Sequence, residues 1–255
     1  MSNSFVIKFG NYSYSPYTQN KSVYDLNQLM KFNKNVSVFQ TRPKPVKKQK
    51  PTYNSAIQAG QNRLNKISSK YNIATNQTKS QTLKDAQALS KRFINTYGTL
   101  ASSSREELIL EPYNIQQSKE TENKINKVRA VRGNDTKTKA NETSKLVKKY
   151  KAANCGECAL ILNKMGCDAF GKKYKIETIN YYATLSDRGV SHVAMMISNG
   201  KEEYVIDPWV NPKEGGVYTK NDWIKMTEEV FHIKPNDQKN IFTNGSIQEK
   251  LTNKK

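Results

Sequence analysis

The chain has 255 residues and a mass of 29.1 kDa, enough for one sizeable domain with or without a long appendage. Lys and Arg number 42 against 22 Asp and Glu, a formal charge of +20, and only 36% of residues are hydrophobic; the mean hydropathy is −0.81 and the pI about 9.7. No run approaches the ~18 apolar residues of a spanning helix, Met1 to Tyr24 lacks the ~7–15-residue apolar core of a classical secretory signal, and three cysteines cannot build a disulfide framework.

The charge is uneven. Residues 1–150 hold 27 Lys and Arg against 9 Asp and Glu, whereas residues 151–255 hold 15 against 13. All three Cys, both His and both Trp follow residue 150, so the basic part and the chemically equipped part are different parts.

Residues 1–80 are rich in Asn, Ser, Gln, Lys and Tyr without sustained periodicity. Such a segment buries too little apolar surface to offset its chain entropy, so disorder is expected; its Ser/Asn-rich composition is also compatible with an export signal. Within it, Arg42 to Pro51 is a basic, Pro-punctuated stretch. It reads as a solvated linker, or as a nuclear-targeting, nucleic-acid or anionic-lipid patch, and the basic N-terminal region as a whole is a candidate surface for a secretion chaperone or an anionic surface. No zinc-finger spacing or aromatic–basic interleave of an RNA-binding sheet is present. Residues 81–150 read as a basic helical region. Leu83, Ala86, Leu89, Phe93 and Ile94 share one helical face up to Gly98. Ser102-Ser103-Ser104 can cap a helix carrying Glu106 to Ile109. Residues 114–132 are only weakly amphipathic, and Thr143 to Tyr150 reads as a short basic helix.

Ala153-Asn154-Cys155-Gly156-Glu157-Cys158-Ala159-Leu160-Ile161-Leu162 predicts a helix from Cys155, with Ala159, Leu160 and Leu162 toward a core and Gly166 closing it. A Cys in a first helical turn meets unpaired N–H groups and the positive end of the dipole, which favour thiolate; those N–H groups can also hold an oxyanion. Four roles stay open for Cys155 and Cys158: a redox pair, zinc ligands with Cys167 and His192, a nucleophile with a remote His and acid, or inert buried thiols.

The downstream pattern favours the nucleophile. Ser191 to Ser198 and Lys201 to Asp207 are strand-like, and Asn199-Gly200 between them is a strong hairpin signal. A two-residue loop sets Ser198 opposite Lys201 and His192 directly opposite Asp207, with Cβ atoms about 4.5–5.5 Å apart. At that separation a carboxylate fixes one imidazole nitrogen and leaves the other for a thiol. Tyr174 to Ile179 reads as a preceding strand, and Tyr218 to Trp223 as a helix start. His232 belongs to a further strand, and residues 241–255 form a polar tail. The order is an α+β arrangement: a nucleophile helix, then an antiparallel sheet bearing His and Asp, over residues 151–240.

These residues resemble the papain-like thiol hydrolases. More narrowly, Asn154-Cys155-Gly156-Glu157-Cys158-Ala159-Leu160, His192 and Asp207-Pro208 are similar to the papain-fold glutamine deamidases of bacterial toxins and type III effectors, the OspI type. The resemblance spans residues 150–235 and includes nothing earlier. It implies Cys155 as nucleophile, His192 as general base and Asp207 as its orienting acid, with Asn154, Gly156 and Cys158 near the oxyanion. It further implies a secreted virulence effector delivered into host-cell cytoplasm, converting Gln to Glu in a host protein without cofactor or metal. The same machinery fits a cysteine protease or an acyl transferase. A basic interaction or nucleic-acid-binding protein with structural cysteines is the non-enzymatic alternative.

Overall fold

The computed structural model describes residues 50–73, 80–131, 135–186 and 188–244. The basic stretch from Arg42 lies almost wholly outside them, as do residues 245–255. Helices α1 (Tyr53–Tyr71), α2 (Gln81–Tyr97), α3 (Ser103–Leu110), α4 (Lys119–Arg129), α5 (Thr136–Tyr150) and α6 (Cys155–Phe170) precede strands β1 (Lys175–Thr184), β2 (Gly189–Ser198), β3 (Glu203–Ile206) and β4 (Val217–Thr219); α7 (Lys220–Phe231) and β5 (Gln238–Asn244) follow. The strands form one antiparallel sheet in the order β4-β3-β2-β1-β5. The architecture is α+β, with the described residues in one compact unit.

Strand alternation sends successive side chains to opposite sheet faces, and the buried residues divide accordingly. Ile176, Met195, Ile197, Ile206 and Val217 join α2, α5 and α6 in one core. Ile179, Tyr181, Ala194, Met196, Val205 and Tyr218 join α1, α3 and α7 in the other. Helices from the basic part therefore cover both faces.

Several expectations need correction. Residues 1–80 were expected to be disordered, yet residues 53–71 are helix α1. Thr52 caps it by accepting the Ser55 N–H, and Ala56, Gly60, Leu64 and Ile67 form its buried stripe. Small residues at helical spacing let α1 pack closely against its neighbours, a pattern that a count of branched aliphatics overlooks. Gly166 does not end α6, which continues to Phe170 and stops at Gly171 with φ +53°. Its absent side chain instead admits Met195, Ile176 and Leu89. His232 is not in a strand: it ends α7 in the left-handed region at φ 58°. The polar tail does not begin at residue 241: residues 241–244 belong to β5, whose Phe242 stacks on Tyr182 at 5.6 Å.

The Gly60 site yields a prediction with a counterintuitive sign. Alanine is favoured over glycine inside a helix by about 1 kcal/mol. A Cβ at Gly60, however, would lie 2.2 Å from Ile109 Cγ2 and 3.0 Å from its Cβ, on a β-branched side chain with little freedom to move. Gly60→Ala is therefore expected to destabilise by about 1–3 kcal/mol, read as a lower midpoint in urea.

Candidate active site

The hairpin that carries His192 and Asp207 closes differently from the sequence reading. Ser198 pairs with Glu203, not Lys201, so the loop has four residues. Asn199 Oδ1 accepts the N–H groups of Lys201 at 2.8 Å and Glu202 at 2.9 Å, an Asx-type turn. Asn199 is not in the left-handed region that a type I′ turn demands, whereas Gly200 is, at φ +86°. The register thus shifts by two, and His192 is not directly opposite Asp207. A shift of two preserves the face; a shift of one would have reversed it. The pair accordingly meets on the diagonal, with His192 Nε2 2.6 Å from Asp207 Oδ2.

Both groups are buried, His192 at 0% and Asp207 at 1% exposure. Asp207 Oδ2 also accepts the Trp223 Nε1–H at 2.9 Å, and Oδ1 accepts the Trp209 N–H at 3.1 Å. Three aromatic rings surround the imidazole: Trp209 at 4.9 Å, Trp223 at 5.6 Å and Phe231 at 5.7 Å between centroids. Burial alone would lower the His192 pKa. The Asp207 charge and hydrogen bond outweigh it, the Cys155 thiol adds to them, and the pKa rises to about 10. Nδ1, the nitrogen not held by Asp207, is buried without a hydrogen bond of regular geometry; the Cys155 thiol is near enough to raise the pKa of the ring through a weak hydrogen bond first and its charge second. Cys155 is half-buried and packs on the same core as the hairpin face bearing His192.

The start of α6 is fixed from two sides. Glu157 Oε2 accepts the Asn154 N–H at 3.0 Å, and Arg129 Nε holds Glu157 at 3.1 Å. The N–H groups of Cys155 and Gly156 have no partner among the described residues, as helix geometry requires of a first turn. A Cβ at Gly156 would meet open space. Cys158 is buried, and burial pushes its thiol well above the ordinary range. Cys167 is buried too, its thiol pushed up to about 11 by burial. All three cysteines are free. Cys158 and Cys167 belong to the core on the other sheet face from His192, and no three His, Cys, Asp or Glu side chains among the described residues converge on a metal position.

The basic part enters the site, which the sequence reading did not foresee. A short parallel bridge joins residues 101 and 152: the Ala101 N–H donates to Lys151 O and the Ala153 N–H to Ala101 O, each at 2.9 Å. It delivers Ser102 to the helix start. Ser102 Oγ donates to Asn154 Oδ1 at 2.7 Å and accepts the Trp209 Nε1–H at 2.8 Å. Buried Arg105 donates to the carbonyls of Trp209, at 2.7 Å, and Leu100; burial brings its pKa down to about 10. One chain of hydrogen bonds thus runs from Asn154 through Ser102 and Trp209 to Asp207 and His192. Asp-Pro-Trp was a readable signal, since an Asx turn carries the third residue's N–H back to the first side chain. Ser102, 52 positions from Asn154, had no local signal.

Ser102 gives a second prediction. Ser102→Ala leaves the Trp209 indole N–H without its partner and takes from Asn154 Oδ1 its shortest hydrogen bond in a buried site, at about 1–3 kcal/mol. Any turnover should fall through kcat more than KM, because the residue positions others. Ser102→Thr, which keeps the hydroxyl, should recover most of it; steady-state kinetics of the two variants check this.

No family model matches the chain, and neither a curated protein nor a solved structure matches it.

Proposed function

We propose that this protein is a thiol hydrolase of papain-like type in which Cys155 is the nucleophile, His192 the proton carrier and Asp207 the group that orients the imidazole. The observation that carries this reading is a buried imidazole with one nitrogen bound to a carboxylate at 2.6 Å, the other without a hydrogen bond of regular geometry, and a helix-start thiol acting on the ring.

A protonated imidazole stabilises a thiolate beside it. The thiolate attacks a side-chain carboxamide carbon, and the first-turn N–H groups of α6 receive the developing oxyanion. As the C–N bond breaks, His192 gives its proton to the departing nitrogen, releasing ammonia and leaving a thioester on Cys155. His192 then takes a proton from water as the water attacks the thioester, releasing a carboxylic acid and restoring the thiolate beside the protonated imidazole. The net reaction is Gln plus water to Glu plus ammonia. The substrate is a host protein and the enzyme a bacterial effector, a step that rests on the motif resemblance alone. The mechanism uses no cofactor.

Incubation with candidate host proteins followed by intact-mass analysis tests this. Deamidation adds about 1 Da per site, fragments assign a peptidase of the same mechanism, and unchanged masses with every candidate count against the hydrolase. Salt-dependent binding to nucleic acid that persists in Cys155→Ala would support the non-enzymatic alternative.

A further inference from the structure

A groove of about 260 Å³ lies beside the proposed catalytic pair, lined among others by Glu107, Leu108, Glu111, Arg188, Val190 and Phe231. Its lining reaches both reacting groups through their neighbours. Phe231, in its lining, has its ring 5.7 Å from the imidazole. Ser104, at the same end, donates its N–H to Asn154 Oδ1 at 3.4 Å, one residue from Cys155.

The groove is electrically divided. Glu111 is ion-paired with Arg188, with Arg63 and His232 close by, so charge at that end is balanced or positive. Glu107 stands apart, exposed and without an ion-pair or hydrogen-bond partner for its carboxylate among the described residues. An uncompensated carboxylate in this groove favours a cationic group on what binds there, in a chain whose own net charge is +20.

We propose that this groove receives the substrate chain and that Glu107 selects a segment with a lysine or arginine one or two residues from the attacked carboxamide, an inference that rests on the hydrolase reading. The spacing is measured from Ser104, whose N–H bonds the side chain of the residue before Cys155. Ser104 and Glu107 are one helical turn apart, about 5–6 Å between Cβ atoms, and an extended peptide advances about 3.3 Å per residue.

The test uses three glutamine peptides that differ only in the residue two positions from Gln: lysine, norleucine or glutamate. Binding is measured to the full chain carrying Cys155→Ala, so that the readout does not depend on turnover. The lysine peptide should bind up to about fivefold tighter than norleucine, and glutamate weakest, in line with a partly exposed ion pair. Adding Glu107→Lys should invert the order. Adding Asp168→Lys, the same charge change roughly 20 Å along α6 from Cys155, should preserve it. Equal binding of all three peptides, an order unchanged by Glu107→Lys, or an inversion by Asp168→Lys overturns the assignment of Glu107. Turnover by the unaltered protein is measured alongside. A charge preference without ammonia or fragment release sinks the hydrolase reading while leaving the groove standing.

Discussion

Cys155→Ala is expected to abolish turnover, by about 10³-fold or more, while Cys158→Ala keeps activity within about tenfold. Both thiols sit in the first turn of α6, so dipole and free N–H groups do not tell them apart. Burial does. Cys155 is half-exposed and acts on the His192 ring, whereas Cys158 is 5% exposed in the core on the other sheet face, with its neutral thiol favoured. Cys155→Ala should melt within a few degrees of the unaltered protein, since little packing is lost. Cys158→Ala removes a buried sulfur and should be the less stable of the two, so stability and activity should move in opposite order. Ammonia release and thermal melts on the two variants check this; an active Cys155→Ala with an inactive Cys158→Ala would reverse the nucleophile assignment.

Asp207→Ala should damage stability and activity together. The carboxylate accepts from the His192 ring, the Trp223 indole and the Trp209 backbone. Removing it strands a buried imidazolium and two N–H donors, at about 3–5 kcal/mol. Asp207→Asn retains the shape and part of the bonding but not the charge, and isolates the electrostatic contribution. In the folded chain His192 holds its proton up to about pH 10, whereas an unfolded histidine releases it near 6.5. The stabilisation is therefore fully present below about pH 6.5 and is lost as pH rises through about 10. Urea midpoints of the unaltered protein should fall across that window, and Asp207→Asn should flatten the slope. An equal slope in both would mean that the Asp207 charge does not hold the proton.

What could be read in the sequence was local. Leu83, Ala86, Leu89 and Phe93 lie on the buried face of α2 as their spacing requires, and Ser102 and Thr219 cap α3 and α7. The hairpin was legible as a hairpin. Its register was not, because Asn199 uses its side chain to close a longer turn than its Asn-Gly dipeptide suggests. His192 and Asp207 still meet because the error was an even number of residues. Helix α1 escaped detection because its stripe includes Gly60 and Ala56, which packing against α3 and α7 makes sufficient. The contribution of Ser102 and Arg105 was illegible for a different reason. Their partners are Asn154, Leu100 and Trp209, and the contacts with Asn154 and Trp209 exist only once the segment carrying residue 101 has paired with residues 151–153.

The central claim is that a thiol and a carboxylate act on one imidazole from separate segments. With two histidines in the chain, ¹⁵N NMR of the rings tests it directly, following each titration in the unaltered protein and in Cys155→Ala. The account predicts that His192 titrates far above 6.5, toward about 10, that its midpoint drops when the thiol is removed, and that His232 does not follow. A His192 midpoint near 6.5, or one indifferent to Cys155, would contradict it.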